Sequence, residues 1–150
     1  LRRMDDFLDA LREDGDYDVV VIDCPPSFTA ASVAALVNSD EVLMPTRADA
    51  FSRRGVLEIQ EQLRSVGLKL LRPMPRIRVL ITMADARSSV PRQVAALYKA
   101  EGFEVCGTAI RSGVAVSKST WQRLPLYAVA PLSNPAQDYE ALAKEVLGNG

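Results

Sequence analysis

The sequence predicts an α/β fold: a mostly parallel sheet with helices on both faces, formed as one domain over residues 1–150. Three observations carry this expectation. Runs such as DVVVI (18–22) and RIRVLITM (76–83) are almost continuously apolar, as in strands buried on both faces. The segments between them space their apolar residues at helical intervals. The two patterns alternate along the chain instead of segregating.

MDDFLDALRE (4–13) places Met4, Phe7, Leu8 and Leu11 on one helical stripe. The β-branched run 18–22 predicts a first strand, SFTAASVAALV (27–37) a helix of small residues capped at Ser27, and EVLMP (41–45) a second strand. SRRGVLEIQEQLRSVG (52–67) predicts a helix with Val56, Ile59, Leu63 and Val66 inward and Gly67 as its stop. A strand over 76–83 follows. In SSVPRQVAALYKAEG (88–102), Ser88 or Ser89 serves as cap, Val90, Val94, Leu97 and Tyr98 share a face, and Gly102 ends the helix. FEVCGTAI (103–110) predicts the fourth strand. Asn134 and Pro135 open a last helix in cap-then-proline order, with Tyr139, Leu142, Val146 and Leu147 as its stripe before Gly148.

With 150 residues, 48% hydrophobic, the chain has enough apolar material for one ordinary core. No apolar run approaches the roughly 20 residues needed to cross a bilayer, and the first residues are too charged for a signal peptide. A cytoplasmic protein is expected. Cys24 and Cys106 are too few for a disulfide framework and form no C-x-x-C pair. The absence of histidine excludes Ser-His-Asp and Cys-His catalysis and histidine-ligated zinc. The net charge of -1 conceals an asymmetry: residues 47–92 carry ten Lys or Arg against four acids, and the remainder eight against fifteen. That excess reads either as one basic face for a polyanion or as a scatter of solvated arginines.

In parallel sheets, ligands sit beyond the carboxyl ends of the strands. Asp23 stands at that edge, and loops beginning at Pro45, Met83 and Arg111 are expected on the same rim. Position alone allows Asp23 two roles, contact with a ligand or its metal, or a cap for the following helix or turn.

YDVVVIDCPPSFTAASVAAL (17–36) resembles the Walker B and switch II region of the ParA/MinD family of deviant Walker P-loop ATPases, a hydrophobic strand followed by D-x-P-P. EVLMPTRADAFSRRGVLEIQEQL (41–63) resembles the family's next strand and long helix. VLITMADARSSVPRQVAAL (79–97) resembles the strand ending T-M-x-D-x-R, and YAVAPLSNPAQDYEALAKEVL (127–147) the closing helix. The ordered set covers nearly the whole chain, with ParA-type partition ATPases as the nearest subgroup.

This resemblance implies ATP and Mg²⁺ as cofactors, with Asp23 in the catalytic and metal-binding position that holds the ion's water shell. Pro25 and Pro26 match the switch that responds to the γ-phosphate; fixed φ and two missing N–H donors make it stiff. Thr82 and Met83 match the strand end near the adenine base, and Arg111 a loop at the same end. Arg53, Arg54, Arg87 and Arg92 are the candidate DNA-binding residues. A ParA-type function further implies ATP-dependent homodimerisation, non-specific DNA binding on the nucleoid and a ParB-like centromere-binding activator, with no membrane contact.

The family's K-G-G-x-G-K-[ST] phosphate-binding loop has no counterpart in this sequence. The chain is therefore expected to be the C-terminal two-thirds of a longer ATPase and inactive alone, because that loop supplies most phosphate contacts. In RSGVAVSKSTW (111–121), Gly113, Ser117 and Lys118 stand where relatives often carry charges, a departure from the family pattern. The alternatives are a MinD-like positioning ATPase, which needs a basic amphipathic C-terminal helix, and a non-enzymatic α/β domain with Asp23 as a phosphoacceptor. YEALAKEVLGNG, with one Lys, does not supply the former, and DCPPS is an odd setting for the latter.

Overall fold

Apolar periodicity sets the helices, and the unbranched, charged exterior of the first one illustrates how. In the computed structural model, which describes residues 2–25, 27–71 and 73–148, α1 (Arg2–Asp14) buries Leu8 and leaves Phe7 half exposed. It is followed by α2 (Ala30–Val37), β1 (Glu41–Arg47), α3 (Ala50–Leu70), β2 (Arg76–Thr82), α4 (Val90–Ala100), β3 (Glu104–Val105), α5 (Val114–Gln122), α6 (Leu126–Val129) and α7 (Asn134–Leu147). The sheet has the order β1-β2-β3, and β2 and β3 run parallel with Arg78 opposite Glu104 and Val79 opposite Val105. Two compact units are distinguished, Leu1–Val42 with Glu58–Arg76, and Leu43–Leu57 with Ile77–Gly150.

In the first unit Leu8, Ala34, Ala35, Val42 and Leu63 are buried. Thr29 caps α2, its Oγ1 accepting the Ser32 N–H at 3.2 Å, so the helix begins two residues later than a Ser27 cap predicts. Arg76 and Glu41 pair at 3.5 Å, and the Arg76 N–H donates to the Asp40 carbonyl. Gly67 does not stop α3. It is buried inside the helix, which runs to Leu70, and Leu71 then takes the left-handed conformation (φ 53°) that ends it.

The expected strand at 18–22 does not form. Residues 15–25 contain neither helix nor strand, and Val19, Val20 and Val21 are 51%, 45% and 88% exposed. A strand exists by virtue of its ladder, and none of the described residues supplies one for this segment. β-Branched composition alone does not create a strand.

In the second unit Leu80, Cys106, Ile110 and Leu142 form a cluster against which Leu43 and Val146 pack, and Tyr98 meets Phe103 edge to face at 5.6 Å. The strand expected over 103–110 is reduced to Glu104–Val105, with a discontinuous return to the sheet. The Cys106 N–H still donates to the Val79 carbonyl, but the Gly107 and Thr108 N–H groups turn to the Glu145 carboxylate. Ile110 then rejoins, donating to Ile81, and Arg111 bridges Ala84 in parallel register. Ladder donors diverted to a side chain explain the break.

Gly102 (φ 85°) follows α4 as expected. The last helix is capped at Ser133, with Asn134 its first residue, and buries Leu142 while Tyr139 and Leu147 stay largely exposed. Helices α5 and α6 lie where no element was expected. A Cβ on Gly113, just before α5, would stand 2.8 Å from Pro135 Cγ, so this position needs glycine for close approach to the start of α7.

Candidate functional site

Asp23 lies in the first unit, solvent-exposed, at the end of the apolar run 19–22. Beyond it the chain turns sharply: the Ser27 N–H donates to the Pro25 carbonyl at 2.7 Å and the Thr29 N–H to the Ser27 carbonyl at 3.0 Å. Pro25 is exposed, and Pro26 lies outside the described residues. No group of three or more His, Cys, Asp or Glu among the described residues converges to hold a metal. An exposed lone carboxylate nevertheless suits Mg²⁺, a hard ion that keeps several waters and takes one or two carboxylates together with substrate phosphates.

In the second unit, Thr82, Met83 and Arg111 come together as expected. Thr82 closes β2 and its Oγ1 donates to the Thr46 carbonyl at 3.2 Å. Met83 is left-handed (φ 53°) and 62% exposed, a conformation that side-chain-bearing residues adopt sparingly. The next residue, Ala84, donates its N–H to the Ile110 carbonyl and accepts from the Ser112 N–H, each at 3.0 Å, which seats Arg111 beside it.

The Arg111 guanidinium turns to α7. Its Nε donates to both Asp138 oxygens at 3.1 and 2.9 Å, Nη2 donates to Asp138 Oδ1 at 2.6 Å, and its main-chain N–H donates to Oδ2 at 2.9 Å. Burial pushes the Asp138 carboxyl up, but the Arg111 hydrogen bonds and charge outweigh it and hold the group below the ordinary aspartate range. Glu145, two turns along α7, accepts from Gly107 and Thr108 at 2.8 Å each and from Arg78 Nη2 at 2.5 Å. There too burial raises and hydrogen bonding lowers, with a net depression.

These acids were missed in the sequence, though a signal for one existed. Arg78 interrupts an otherwise apolar strand, and an arginine there is buried only with a partner. Its side chain is 4% exposed, between Glu145 and, at 3.6 Å, Glu104.

The candidate DNA-binding arginines are dispersed. Arg53 is ion-paired with Glu101, which follows the last residue of α4 and raises the guanidinium pKa through a side-chain hydrogen bond. Arg92 stands in the first turn of α4, about 14 Å away along the helix axis at 1.5 Å per residue. Arg54, Arg87 and Arg92 are exposed; Arg87 approaches Asp85 at 3.7 Å. Much of the basic excess in 47–92 is matched by acids, since Arg47, Arg53, Arg76, Arg78 and Arg87 all have carboxylate partners.

Residues 2–74 match the family model described as an AAA domain. The chain is 32% identical over 149 residues to the sporulation initiation inhibitor protein Soj of Bacillus subtilis, covering 99% of this chain and 58% of that protein. It is 32% identical over 146 residues to the chromosome partitioning protein ParA of Caulobacter vibrioides, covering 97% and 55%. The structure superposes on a ParA family ATPase from Chlorobium tepidum with a TM-score of 0.71 at 20% identity, over 88% of this chain and 52% of that one. The chain belongs to the ParA/MinD family. Its fold is the α/β, mostly parallel architecture of ParA ATPases. This ParA-like chain spans a little over half the length of the curated relatives it matches. None of its described helices is long and apolar enough to cross a membrane.

Proposed function

We propose that this ParA-like chain is the C-terminal portion of a partition ATPase that uses ATP and Mg²⁺ to dimerise, binds DNA without sequence preference and segregates plasmid or chromosomal DNA. The observation that carries this reading is the similarity to Soj and ParA over 97–99% of the chain, in which Asp23 and Pro25 keep the D-x-P-P order after an apolar run. Asp23 would hold the water shell of Mg²⁺, which when bound neutralises charge on the transferring phosphoryl group. The switch following Asp23 would sense the γ-phosphate, and the rim formed by Thr82, Met83 and the main chain at Arg111 would face the base. The phosphate-binding loop lies elsewhere in the longer polypeptide, so residues 1–150 alone bind no ATP. Arg53, Arg54, Arg87 and Arg92 are the proposed DNA contacts; Arg54, Arg87 and Arg92 are exposed, and Arg53 is held by Glu101. A ParB-like activator and a cytoplasmic, nucleoid-associated location complete the reading.

The decisive test is Asp23→Ala in the longer polypeptide. Mg²⁺-dependent ATP turnover should be abolished while circular dichroism and melting are unchanged; turnover equal to that of the parent rejects the assignment. No prior structural role competes, because the Asp23 side chain is exposed.

A further inference from the structure

The segment 107–111 is held by side chains from a single helix. Asp138 and Glu145 are seven residues apart on α7, which places them on one face two turns apart. Both carboxylates are largely buried, with side chains 12% and 21% exposed. Between them they accept the main-chain N–H groups of Gly107, Thr108 and Arg111. Asp138 also takes the Arg111 guanidinium, whose Nη2 lies 3.4 Å from the Asn134 carbonyl. The segment so held forms the edge against which Ala84 bonds, immediately after the left-handed Met83.

With Nε donating to Asp138, and Nη2 to Asp138 and the Asn134 carbonyl, the guanidinium keeps only its two Nη1 hydrogens for a phosphate or base, and its orientation is set by the acid. Charge-assisted bonds to a largely buried acid are also short and directional, so they fix a main-chain path better than solvent-exposed contacts do. The two acids therefore act on the rim as a support shell, the kind of contact that orients a binding edge without touching the ligand.

We propose that Asp138 and Glu145 are positioning residues of the base subsite, and that Arg111 serves that subsite as the pin of the Asp138 ion pair and not as a ligand of the nucleotide. This rests on the ATPase reading above. Asp138 enforces the path of Arg111 beside Ala84, Glu145 enforces the turn at Gly107 and Thr108, and the conformation of Met83 follows from both. The base then meets a preformed edge.

The test uses the longer polypeptide, a fluorescent ATP analogue and the matching GTP analogue, with hydrogen exchange as a readout independent of nucleotide. Asp138→Ala should weaken ATP-analogue binding about tenfold, as support-shell losses commonly do, narrow the preference for ATP over GTP, and raise KM for ATP more than it lowers kcat. It should also speed exchange at the amides of residues 107–112 and 84. Asp138→Asn, which keeps an acceptor for the Arg111 N–H, should recover part of both effects. Arg111→Met should match Asp138→Ala, and the double substitution Arg111→Met with Asp138→Leu should be no worse than either alone.

If Arg111 were a nucleotide ligand, Arg111→Met would weaken binding while Asp138→Asn, which frees the guanidinium, would leave it equal or tighter. That pattern overturns the proposal, as does unchanged exchange at residues 107–112 in Asp138→Ala. Failure of the unsubstituted polypeptide to bind either analogue would instead overturn the ATPase reading and the base subsite with it.

Discussion

Glu145→Ala offers the sharpest test of how the second unit is held together. The Glu145 carboxylate accepts two main-chain N–H groups at 2.8 Å and the guanidinium of Arg78, whose side chain is only 4% exposed. Removing one partner of a buried ion pair costs about 3–5 kcal/mol because the other charge is left in a poor solvent. Two features move this case toward the lower figure. Glu104 remains 3.6 Å from Arg78 Nε, and Gly107 is exposed enough for water to replace its lost acceptor. About 3 kcal/mol is therefore expected, or a fall in Tm of roughly 6–12 °C for a domain of this size. Glu145→Gln keeps one acceptor oxygen and should cost about 1–2 kcal/mol. Arg78→Met combined with Glu145→Leu removes both charges and should recover most of the loss, since apolar replacement of a buried pair is often neutral or better.

Acid sharpens the same test. The native carboxyl sits below its ordinary value of 4.5, so its contribution is fully present above that value. It is lost as pH falls through the lower native value. The stability difference between the parent and Glu145→Gln should shrink as pH drops below about 4.5. Urea denaturation from pH 7 to 3 reads both predictions. A Glu145→Ala variant within about 0.5 kcal/mol of the parent at pH 7, the spread of ordinary surface changes, would refute the reasoning.

Three further outcomes follow from other parts of the molecule. Gly113→Ala drives a methyl to 2.8 Å from Pro135 Cγ and should cost about 1–3 kcal/mol in urea denaturation, whereas a neutral result means the start of α7 yields freely. DNA affinity of the longer polypeptide should fall steeply with salt, and Arg87→Glu should weaken every sequence alike while Lys144→Glu does little; salt-independent binding contradicts the phosphate-contact reading. Residues 1–150 expressed alone should self-associate through the apolar segment 19–22, and Val21→Lys should raise the concentration at which light scattering appears. A monodisperse chain that melts cooperatively would contradict that.

The legible part of the fold is the part decided by local pattern. Helices α3, α4 and α7 follow from apolar periodicity, and β2 from an apolar run that, unlike 18–22, finds a ladder, in β3. What escaped notice depends on contacts distant in sequence. The strand over 103–110 was shortened because Glu145, about forty residues on, takes its N–H groups. The ten basic residues of 47–92 read either as one face or as scattered arginines, because the carboxylate partners of five of them, such as Glu41 and Glu145, are set by contacts the sequence does not display. Motif order singled out Asp23 as a candidate, and in the second unit it pointed to Thr82, Met83 and Arg111, which the Ala84–Arg111 bridge sets side by side. It could not show that Arg111 is bound to Asp138, because no motif spans the 27 residues between them.

The exposure of 19–22 bears directly on Asp23. A metal ligand contributes through being held where the ion needs it, and the stiffness of a ligand at a strand end comes from the ladder beneath it. Here Val19, Val20 and Val21 are about half exposed or more, and full burial of such side chains gains roughly 1.5–3 kcal/mol each. Pairing this segment with another strand thus releases several kcal/mol, a large share of the 5–15 kcal/mol by which domains are stable. That same free energy would fix the backbone at Asp23. On the proposed ATPase reading, ordering of the strand and competence of Asp23 to hold Mg²⁺ are then one event, so a substitution that weakens the pairing, such as Val20→Asp, should lower Mg²⁺-dependent turnover of the longer polypeptide.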